Sequence, residues 1–471
     1  MENPKEVMQI QLVANCDRLD FLVPQDLCPH VGRCGGCTYY DTPYEQELAE
    51  KLQALQNTMG EHGHFIKEVM PAPNVHGYRN KMELAFGDTG KRTDDAGNPL
   101  PPEIALGIRK RRNMYEVATT ERCILMCDDF KQIAAYAMQF FRDSGEAVYH
   151  RRRHVGALRH LMLRRGEFTG EILVMLSTTS ALTTNLTPFV EGLRALPIRG
   201  ALVGILHATH DGVSDTIKSD DVSTLWGRDF YHEKLYKDTP GELTFAVSAF
   251  SFFQTNSAGA MKLYNVVRDY AGAGNLAYDL YCGTGTIAQV IAPAFERVVG
   301  IELVPEAIEA AKANAAYNGI AHCEFHAHDI TVLAAQNNAL LAPPDGTATG
   351  TTSSNTATIG IATVGTASNN AASNNTASNN TASNNTASNN TAPEAIVVDP
   401  PRDGLSPKAL AKVVAMGAAR IVYVACKPAS LARDLPVLIA AGYTVVAITG
   451  VDMFPRTPHV EAVALLIRVD A

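Results

Sequence analysis

The sequence has no uninterrupted apolar run of about 18 residues, so it predicts no membrane-spanning helix. It opens with MENPKEVMQI, which has no basic segment followed by an apolar stretch, and we therefore expect no secretory signal and a cytoplasmic location. Without such a signal, the 9 cysteines are expected to be thiols, metal ligands or a catalytic group rather than disulfides. Excess positive charge is also missing: the formal net charge is -9 at pH 7. This charge argues against indiscriminate binding to polyanions and leaves room for a local basic patch.

Length and composition predict an α/β protein of more than one domain. The chain has 471 residues, too many for one ordinary core, and is 46% apolar and 19% charged, as globular proteins are. Short alternating apolar runs between 78 and about 240 predict a β-rich region. After 241, short apolar runs alternate with helical patterns, which indicates a doubly wound, Rossmann-like sheet. We expect a short N-terminal segment (1–27), a cysteine-cluster and central β-rich domain (28–240), and a Rossmann-like domain (241–471).

One helix can be predicted close to the N-terminus. Its stretch YEQELAEKLQALQNTM (44–59) has apolar residues about one helical turn apart, at Leu48, Leu52, Leu55 and Met59. This spacing is typical of an amphipathic helix.

A low-complexity segment interrupts the Rossmann-like half. Residues 346–392 are rich in Gly, Thr, Ser and Asn, and 366–390 consist of five near-identical pentads. A short period without an apolar face cannot bury a core. We expect a disordered loop inserted between two strands, which a long surface connection tolerates at little cost in closure entropy.

A nucleotide-type pocket is predicted at DLYCGTGTI, which follows an apolar run and opens a helical pattern. Gly283 and Gly285 allow a sharp turn and a close approach to a ligand. Glu302 ends the next apolar run, 23 residues after Asp279, where a carboxylate can bind ribose hydroxyls. Ala288 stands where a dinucleotide fingerprint has its third glycine. A nucleoside without a pyrophosphate, such as S-adenosylmethionine (SAM), therefore fits better than NAD, which stays the alternative.

Four further groups are expected near the same sheet edge. Asp329 and Asp399 come just past later apolar runs, Cys426 ends another, and Glu461 starts the last. Taken singly, Asp329 and Asp399 are better explained as solvated strand ends and Glu461 as a structural acid, and a cysteine is often a packing residue. Together they point to the crevice at the carboxyl ends of the strands, where Cys426 would be a nucleophile and Glu461 a general base.

A cysteine cluster is predicted before the helix. Cys28, Cys34 and Cys37 have the spacing C-x5-C-x2-C, and either Cys123 or Cys127 can supply a fourth thiolate. Zinc sites more often have two C-x2-C pairs, whereas iron–sulfur clusters are held by four thiolates at varied spacings. The spacing alone leaves both open.

Two basic stretches stand out in an acidic chain. GIRKRRN (107–113) and RRRHVGALRHLMLRRG (151–166) are rich in arginine. Such runs are commonly solvated faces, but their place beside the predicted catalytic half also suits contacts with phosphate groups.

These motifs carry a family resemblance. FFQTN (252–256), DLYCGTGT, DPPR, YVACKPASLARD and DMFPRTPHVE occur in the order and spacing of RNA uracil-5-methyltransferases. From Cys28 to its end, the chain resembles the bacterial 23S rRNA (uracil-5-)-methyltransferases that carry an iron–sulfur cluster. The resemblance implies SAM-dependent methylation of C5 of a uridine in RNA, giving 5-methyluridine, with 23S rRNA as the first expected substrate and tRNA as the alternative.

The resemblance also implies roles for single residues. Cys426 would attack C6 of the uracil, and Glu461 would remove the proton from C5. The SAM site would be lined by Gln254, Tyr281, Thr286, Glu302, Asp329 and Asp399. A [4Fe–4S] cluster would be bound by Cys28, Cys34, Cys37 and Cys123. We expect a monomer that binds RNA and no membrane.

Departures from the family pattern keep other interpretations open. The family usually has SCNP around the nucleophile, whereas this chain has ACKP, with Ala425 and Lys427 beside the thiol. Only 27 residues precede Cys28, too few for the RNA-binding β-barrel that often begins such proteins. DPPR also resembles the motif of amino-methyltransferases, but Arg402 replaces their aromatic residue. An RNA-binding factor with a vestigial SAM site is the alternative from a different class.

Overall fold

The computed structural model describes residues 28–90, 92–94, 96, 98–100, 103–113, 115–214, 220–332 and 392–469. The predicted N-terminal segment 1–27 and, except for its last residue, the low-complexity insertion 346–392 lie outside the described residues. Within those ranges, no helix has the length and apolar composition that crossing a membrane requires.

The described strands and helices are as follows. The strands are β1 (Val69–Met70), β2 (Lys81–Asp88), β3 (Arg92–Thr93), β4 (Pro99–Leu100), β5 (Ile104–Arg109), β6 (Val117–Thr119), β7 (Leu158–Arg165), β8 (Glu171–Thr178), β9 (Ala201–Thr209), β10 (Asp221–Gly227), β11 (Phe230–Leu235), β12 (Leu243–Ser248), β13 (Gly274–Leu280), β14 (Phe295–Glu302), β15 (Cys323–Ala327), β16 (Ala395–Val398), β17 (Arg420–Ala425), β18 (Tyr443–Val451) and β19 (Glu461–Arg468). The α-helices span Tyr44–Met59, Asp128–Ser144, Thr187–Ala195, Ser257–Ala271, Thr286–Ile291, Pro305–Tyr317, Pro407–Ala415 and Pro428–Ala440. Short 3-10 helices span Gly60–Phe65, Ala292–Ala294 and Ile330–Val332.

The C-terminal half forms an eight-stranded sheet in the order β1-β18-β19-β17-β16-β13-β14-β15. All neighbouring strands are parallel except β19, which runs antiparallel between β17 and β18. Its central strands are continuous apolar runs such as AIVV in β16, because helices cover both faces of such a sheet. The strand order reverses between β13 and β16, which creates a crevice at their carboxyl ends. The predicted α/β architecture is confirmed.

The central region forms a second sheet of seven strands, in the order β10-β9-β8-β7-β2-β5-β6. Its pairs are antiparallel except for the parallel pair β8–β9. The helix Asp128–Ser144 packs its apolar face against this sheet, with Phe130 and Phe141 fully buried. The predicted β-rich region is therefore present, while the domain limits at 28–240 and 241–471 stay predictions.

One apolar core is continuous between the two sheets. Met175 of β8, Phe245 of β12 and Val397 of β16 are fully buried and belong to the same cluster. The hairpin β11–β12 therefore joins the central sheet to the C-terminal one.

The predicted amphipathic helix is confirmed at Tyr44–Met59. It packs against the helix Pro428–Ala440, and its buried residues Leu55 and Met59 enter the core cluster of the C-terminal sheet. β1 follows it and pairs in parallel with β18. The segment after the cysteine loop thus packs against the C-terminal sheet and adds one strand to it.

Candidate active site

Polar side chains gather at the edge of the eight-stranded sheet where its parallel strands end. Glu302 is the last residue of β14, Asp399 and Cys426 directly follow β16 and β17, and Asp329 lies just past β15. Glu461 begins β19, whose antiparallel direction brings its first residue to the same edge. The fold therefore brings these five predicted residues to the crevice.

Cys426 and Glu461 lie across from one another at the end of a strand pair. Ala425 of β17 pairs with Ala462 of β19, and the next residue on each strand is Cys426 and Glu461, respectively. Burial, together with the carboxylates of Glu461 and Asp399, raises the pKa of the Cys426 thiol to about 11.

Two carboxyl groups next to this thiol hold protons unusually tightly. Glu461 is 3% exposed, and burial followed by the charge of Asp399 raises its pKa to about 8, while Arg402 opposes the shift. Burial raises the pKa of Asp399 to about 7. Arg402 also acts to lower the pKa of Cys426. A carboxyl that titrates near neutral pH can take up and release a proton during turnover.

The thiol opens onto a pocket of about 180 Å³. The pocket is lined by Lys51, Ala54, Leu55, Thr58, Arg402, Cys426, Lys427, Pro428, Ala429, Pro458, His459 and Val460. Cavities of about 150 Å³ bind benzene, so a pyrimidine ring can enter a pocket of this size. The helix Tyr44–Met59 supplies one wall, a contribution that the sequence pattern did not reveal.

The glycine turn after β13 is sharply bent. Tyr281, Gly283 and Gly285 all have positive φ, at 64°, 52° and 76°. At Gly285 a Cβ would come within 2.7 Å of the Phe325 ring, so both conformation and space require glycine. The buried Thr286 begins the next helix directly after this turn.

Two carboxylates hold the turn in place. Glu302 accepts hydrogen bonds from the backbone N–H groups of Gly283 (3.3 Å) and Leu303 (2.8 Å). Asp279 is fully buried and accepts from the N–H of Ala288 at 2.8 Å, and burial raises its pKa well above the usual range. In the sequence, Asp279 served only as the residue from which the spacing to Glu302 was counted. In the structure, its carboxyl group binds the first turn of the helix Thr286–Ile291.

Tyr281 lies within reach of the charges of Asp329 and Glu302. Burial, then the charges of Asp329 and Glu302, raise the pKa of Tyr281. Asp329 is exposed, and a hydrogen bond from the backbone N–H of Thr331, at 2.8 Å, lowers its pKa. An aromatic ring flanked by two carboxylates can bind a flat base and the hydroxyls of a sugar.

Gln254 lies in a loop that the central region fixes. Its carbonyl accepts a hydrogen bond from Nδ2 of Asn80 at 3.1 Å. The buried Arg164 donates from Nη1 to three carbonyls of this loop, those of Ser248, Ala249 and Ser251. Within the described residues, the side chain of Gln254 makes no hydrogen bond to the other predicted cofactor-site residues.

The four predicted cysteine ligands line one small cavity, together with Gly36, Tyr40 and Ile108. Burial, followed by the charges of Cys123, Cys34 and Cys28, raises the pKa of the Cys37 thiol to about 12. Across the described ranges, no group of three or more His, Cys, Asp or Glu is arranged to hold a metal ion.

Cys127, the other candidate for the fourth ligand, faces a different pocket. That pocket, of about 520 Å³, is lined by His76, Lys131, Arg165 and Glu167 among others. Arg165 acts to lower the pKa of Cys127, although burial raises it overall. Cys123, not Cys127, therefore lies with the other three thiols.

A basic cleft adjoins the cysteine loop. It is lined by Gly32, Arg33, Lys110, Arg111, Arg112, Asn113 and Glu116 and has a volume of about 580 Å³. Lys110 is paired with Glu116 at 2.8 Å, while Arg33, Arg111 and Arg112 are exposed. The stretch 107–113 therefore presents guanidinium groups to solvent, as phosphate contacts require.

The second basic stretch, 151–166, behaves differently. Arg159 donates to the carbonyls of His210 and Gly212, both at 2.9 Å, and Arg165 pairs with Glu167. With Arg164, three of its six arginines are thus used inside the protein. Our expectation of phosphate contacts for the whole stretch was too broad, because buried guanidinium groups bind backbone carbonyls that the sequence does not reveal.

Comparisons with known proteins relate this chain to methyltransferases. A family profile described as tRNA (Uracil-5-)-methyltransferase matches residues 359–469, and one described as a methyltransferase domain matches residues 274–340. A solved structure, the Pyrococcus abyssi tRNA (uracil-54, C5)-methyltransferase in complex with S-adenosyl-L-homocysteine, has the same fold. It superposes with a TM-score of 0.63 at 24% identity and covers 92% of this chain and 86% of its own.

Sequence relatives extend over almost the whole chain. An uncharacterized RNA methyltransferase of Clostridium tetani is 35% identical over 448 residues, which is 94% of this chain and 84% of the relative. One from Caldanaerobacter subterraneus is 35% identical over 97% of this chain and 87% of its own length. The chain is therefore an RNA methyltransferase and belongs to the RNA uracil-5-methyltransferase family.

Proposed function

We propose that this enzyme methylates C5 of a uridine in 23S rRNA with SAM, through a covalent bond between Cys426 and C6 of the base. The observation that carries the proposal is the position of the Cys426 thiol across the β17–β19 pair from the buried Glu461. The thiol lines the pocket of about 180 Å³, and a base that begins the neighbouring strand can act on the ring atom next to the one that the thiol attacks.

The two side chains have separate roles in this mechanism. The Cys426 thiolate would bond to C6 as the electron pair of the C5=C6 bond moves toward C5 and O4. C5 would then bond to the methyl carbon while the bond from that carbon to the sulfonium sulfur breaks, with S-adenosyl-L-homocysteine as the leaving group. SAM supplies that methyl group as an electrophile when it is bound. Glu461 takes the proton from C5, the electrons of the C5–H bond re-form C5=C6, and the C6–S bond breaks to release the thiolate. The RNA leaves with 5-methyluridine at the target position, Cys426 is again a thiolate, and Glu461 holds the proton that came from C5.

Arg402 supports ionisation in this scheme. It lines the pocket and acts to lower the pKa of both Cys426 and Glu461. Both groups must lose a proton to act, so a guanidinium beside them increases the active fraction at neutral pH.

The SAM site in this proposal lies along the glycine turn. Its residues are Gln254, Tyr281, Thr286, Glu302, Asp329 and Asp399. The position of Glu302 against the turn suits a sugar diol, and Tyr281 with Asp329 suits a base. Asp399 directly follows β16, which lies between β13 and β17 in the sheet, so the methyl donor would reach the target base there.

A [4Fe–4S] cluster held by Cys28, Cys34, Cys37 and Cys123 also belongs to the proposal. Four thiols that line one cavity are the donor set of such a cluster, and their neighbouring charges raise the pKa of Cys37. The cluster would be structural and would hold the loop 28–37 against the central sheet. This loop carries Arg33 of the basic cleft, which would bind RNA phosphates.

The second candidate substrate is tRNA, because the matching family profile and the structural neighbour both carry that name. The test supplies SAM and unmodified 23S rRNA, 16S rRNA or tRNA in separate reactions with anaerobically purified enzyme, followed by nucleoside mass spectrometry. We expect 5-methyluridine with 23S rRNA only. Its formation with tRNA only would keep the chemistry and reject the ribosomal substrate, and a methylated adenine or cytosine would reject the mechanism.

Several expectations remain with this proposal. The enzyme would act as a cytoplasmic monomer, with the cysteine cluster and RNA contacts in 28–240 and catalysis in 241–471. If it were instead an RNA-binding factor with a vestigial SAM site, Cys426→Ala would leave its biological function intact.

A further inference from the structure

The loop 452–459 leads into Glu461 and is hydrogen-bonded to the segment that directly follows the cysteine loop. We propose that Arg456 is a positioning residue for Glu461, and that through it the cysteine loop orients the base of the reaction. The inference rests on the proposed roles of Glu461 and of the four cysteines.

Arg456 joins the two segments by both its backbone and its side chain. Its carbonyl accepts hydrogen bonds from the N–H groups of Thr38 (2.7 Å) and Tyr39 (3.2 Å). Its Nη1 donates to the carbonyls of Tyr39 (3.2 Å) and Thr42 (2.6 Å). Thr38 is the residue after Cys37, so this contact begins where the cysteine loop ends.

A buried ionic network holds the other end of the same loop. Lys51 donates to Glu47 (2.7 Å) and to Asp452 (2.8 Å), and all three side chains are at most 1% exposed. Glu47 also accepts from the backbone N–H of Arg456 at 2.7 Å. Tyr44 donates its hydroxyl hydrogen to Asp452 at 2.8 Å. Helix Tyr44–Met59 therefore binds both Asp452 and Arg456.

The remaining residues of the loop are also fixed. The Tyr78 hydroxyl donates to the carbonyl of Pro455 at 3.0 Å. Thr457 donates from Oγ1 to the carbonyl of Phe454 at 2.7 Å, and its Oγ1 accepts from the N–H of His459 at 3.3 Å. A shift at Arg456 therefore moves His459 and, two positions later, Glu461.

The composition of this network argues for positioning rather than for stability alone. Buried ion pairs add little net stability compared with apolar packing, because desolvating the charges offsets their attraction. Arg456 also has a φ of 68°, a conformation that is unfavourable for a residue with a side chain. Both features are expected where a loop must take up one geometry.

The cysteine loop has its own link to this segment. The backbone N–H of Cys28 donates to the Tyr40 hydroxyl at 2.8 Å, and Nη2 of Arg111 donates to the Cys37 carbonyl at 3.4 Å. If the four thiols are held together, residues 38–42 are fixed at both ends. Loss of the cluster would then loosen the partners of Arg456.

The first test uses the chemistry of the base. After methyl transfer, the sulfur–C6 bond breaks only when the C5 proton is removed, so an enzyme with a misplaced base stays attached to its RNA. We compare Arg456→Lys and Tyr44→Phe with Glu461→Gln and with the control Arg142→Lys. Arg142 is a matched arginine that binds the Ile104 carbonyl and Glu103 in the central region, away from the loop.

We expect Arg456→Lys to lower kcat by about 10²-fold with KM for RNA and SAM unchanged, as for a misplaced catalytic group. Tyr44→Phe, which removes one hydroxyl, should lower kcat less. Both should accumulate the covalent RNA adduct on denaturing gels, as Glu461→Gln does, whereas Arg142→Lys should not. The positioning role would be overturned if a folded Arg456→Lys or Tyr44→Phe enzyme lost activity without accumulating the adduct. It would also be overturned if the loss of activity came with weaker binding of RNA and SAM. Absence of adduct in Glu461→Gln itself would instead reject the proposed role of Glu461.

The second test measures the link to the cysteines without activity. Hydrogen exchange is followed by mass spectrometry in the holoprotein and after removal of iron with a chelator. Faster exchange in 38–42 and 452–461, with no change in the helix Pro407–Ala415, is the expected result. Unchanged exchange in 452–461 after complete iron loss would overturn the link.

Discussion

Cys426 and Glu461 occupy facing positions one residue beyond the last backbone pair of β17 and β19, that of Ala425 with Ala462. A strand that runs antiparallel in an otherwise parallel sheet makes this possible, because it begins where its neighbour ends. The backbones that carry the two side chains are thereby about one strand spacing apart, about 4.8 Å. A nucleophile and a base on neighbouring strands can approach one ring from adjacent positions.

Replacing Glu461 by Gln should trap an intermediate. We expect kcat to fall by about 10²- to 10⁴-fold, the usual contribution of a general base, with accumulation of a covalent enzyme–RNA species. The matched control is Glu309→Gln on the exposed face of the helix Pro305–Tyr317, which should keep full activity. Full activity of Glu461→Gln would contradict the assignment, and a denaturing gel with labelled RNA provides the readout.

Activity should rise with pH on the acid side. Cys426 and Glu461 both act when ionised, with pKa values raised to about 11 and about 8, so kcat/KM should fall about tenfold per pH unit between these values and about a hundredfold per unit well below pH 8. Arg402 lowers the pKa of Glu461 and Cys426, so Arg402→Gln should move this limb to higher pH. Initial rates across the pH range, measured for the unsubstituted enzyme and for Arg402→Gln, give the acid limb of each profile. A limb that moves to lower pH in the variant is the contrary result.

The two candidate fourth cysteines can be separated by iron analysis. Cys123→Ser should lose most iron and sulfide after anaerobic purification, because Cys123 lines the cavity with Cys28, Cys34 and Cys37. Cys127→Ser is the control and should keep both, since Cys127 faces another pocket. Equal iron and sulfide in the two variants would contradict the assignment of Cys123.

The basic cleft should contribute to RNA affinity through charge. Arg33→Gln combined with Arg112→Gln should weaken RNA binding and reduce the slope of log affinity against log salt by about 2, because each arginine that binds a phosphate adds roughly one to that slope. Arg194→Gln is the control, because Arg194 stacks on Trp226 at 4.8 Å outside the cleft. RNA affinity measured at several salt concentrations gives this slope. An unchanged slope would show that the cleft is not part of the RNA interface.

Part of this site was accessible from the sequence. Asp399 and Cys426 directly follow parallel strands, which end at one edge, so their convergence follows from the sequence pattern. Glu461 reaches the same edge because β19 runs antiparallel, a direction that the pattern does not report. The helix Tyr44–Met59 was also predictable, because its apolar spacing is local.

Other parts required coordinates. Lys51 and Asp452 are 401 positions apart in the chain yet form a buried ion pair, and no local pattern reports such a contact. Arg164 looks like a surface cation in sequence, but it is 1% exposed and binds backbone carbonyls. Contacts between distant segments depend on tertiary packing, which periodicity does not encode.

The most direct test of the central claim is to trap the bond to Cys426. The enzyme is incubated with SAM and substrate RNA in which the target is 5-fluorouridine, whose C5 fluorine a base cannot remove as a proton. The account predicts a stable covalent complex, and peptide mass spectrometry should place the methylated 5-fluorouridine on Cys426. Cys426→Ala should form none, while Cys323→Ala should form it normally. A complex at another residue, or none from an enzyme that makes 5-methyluridine from unsubstituted RNA, would contradict the covalent mechanism.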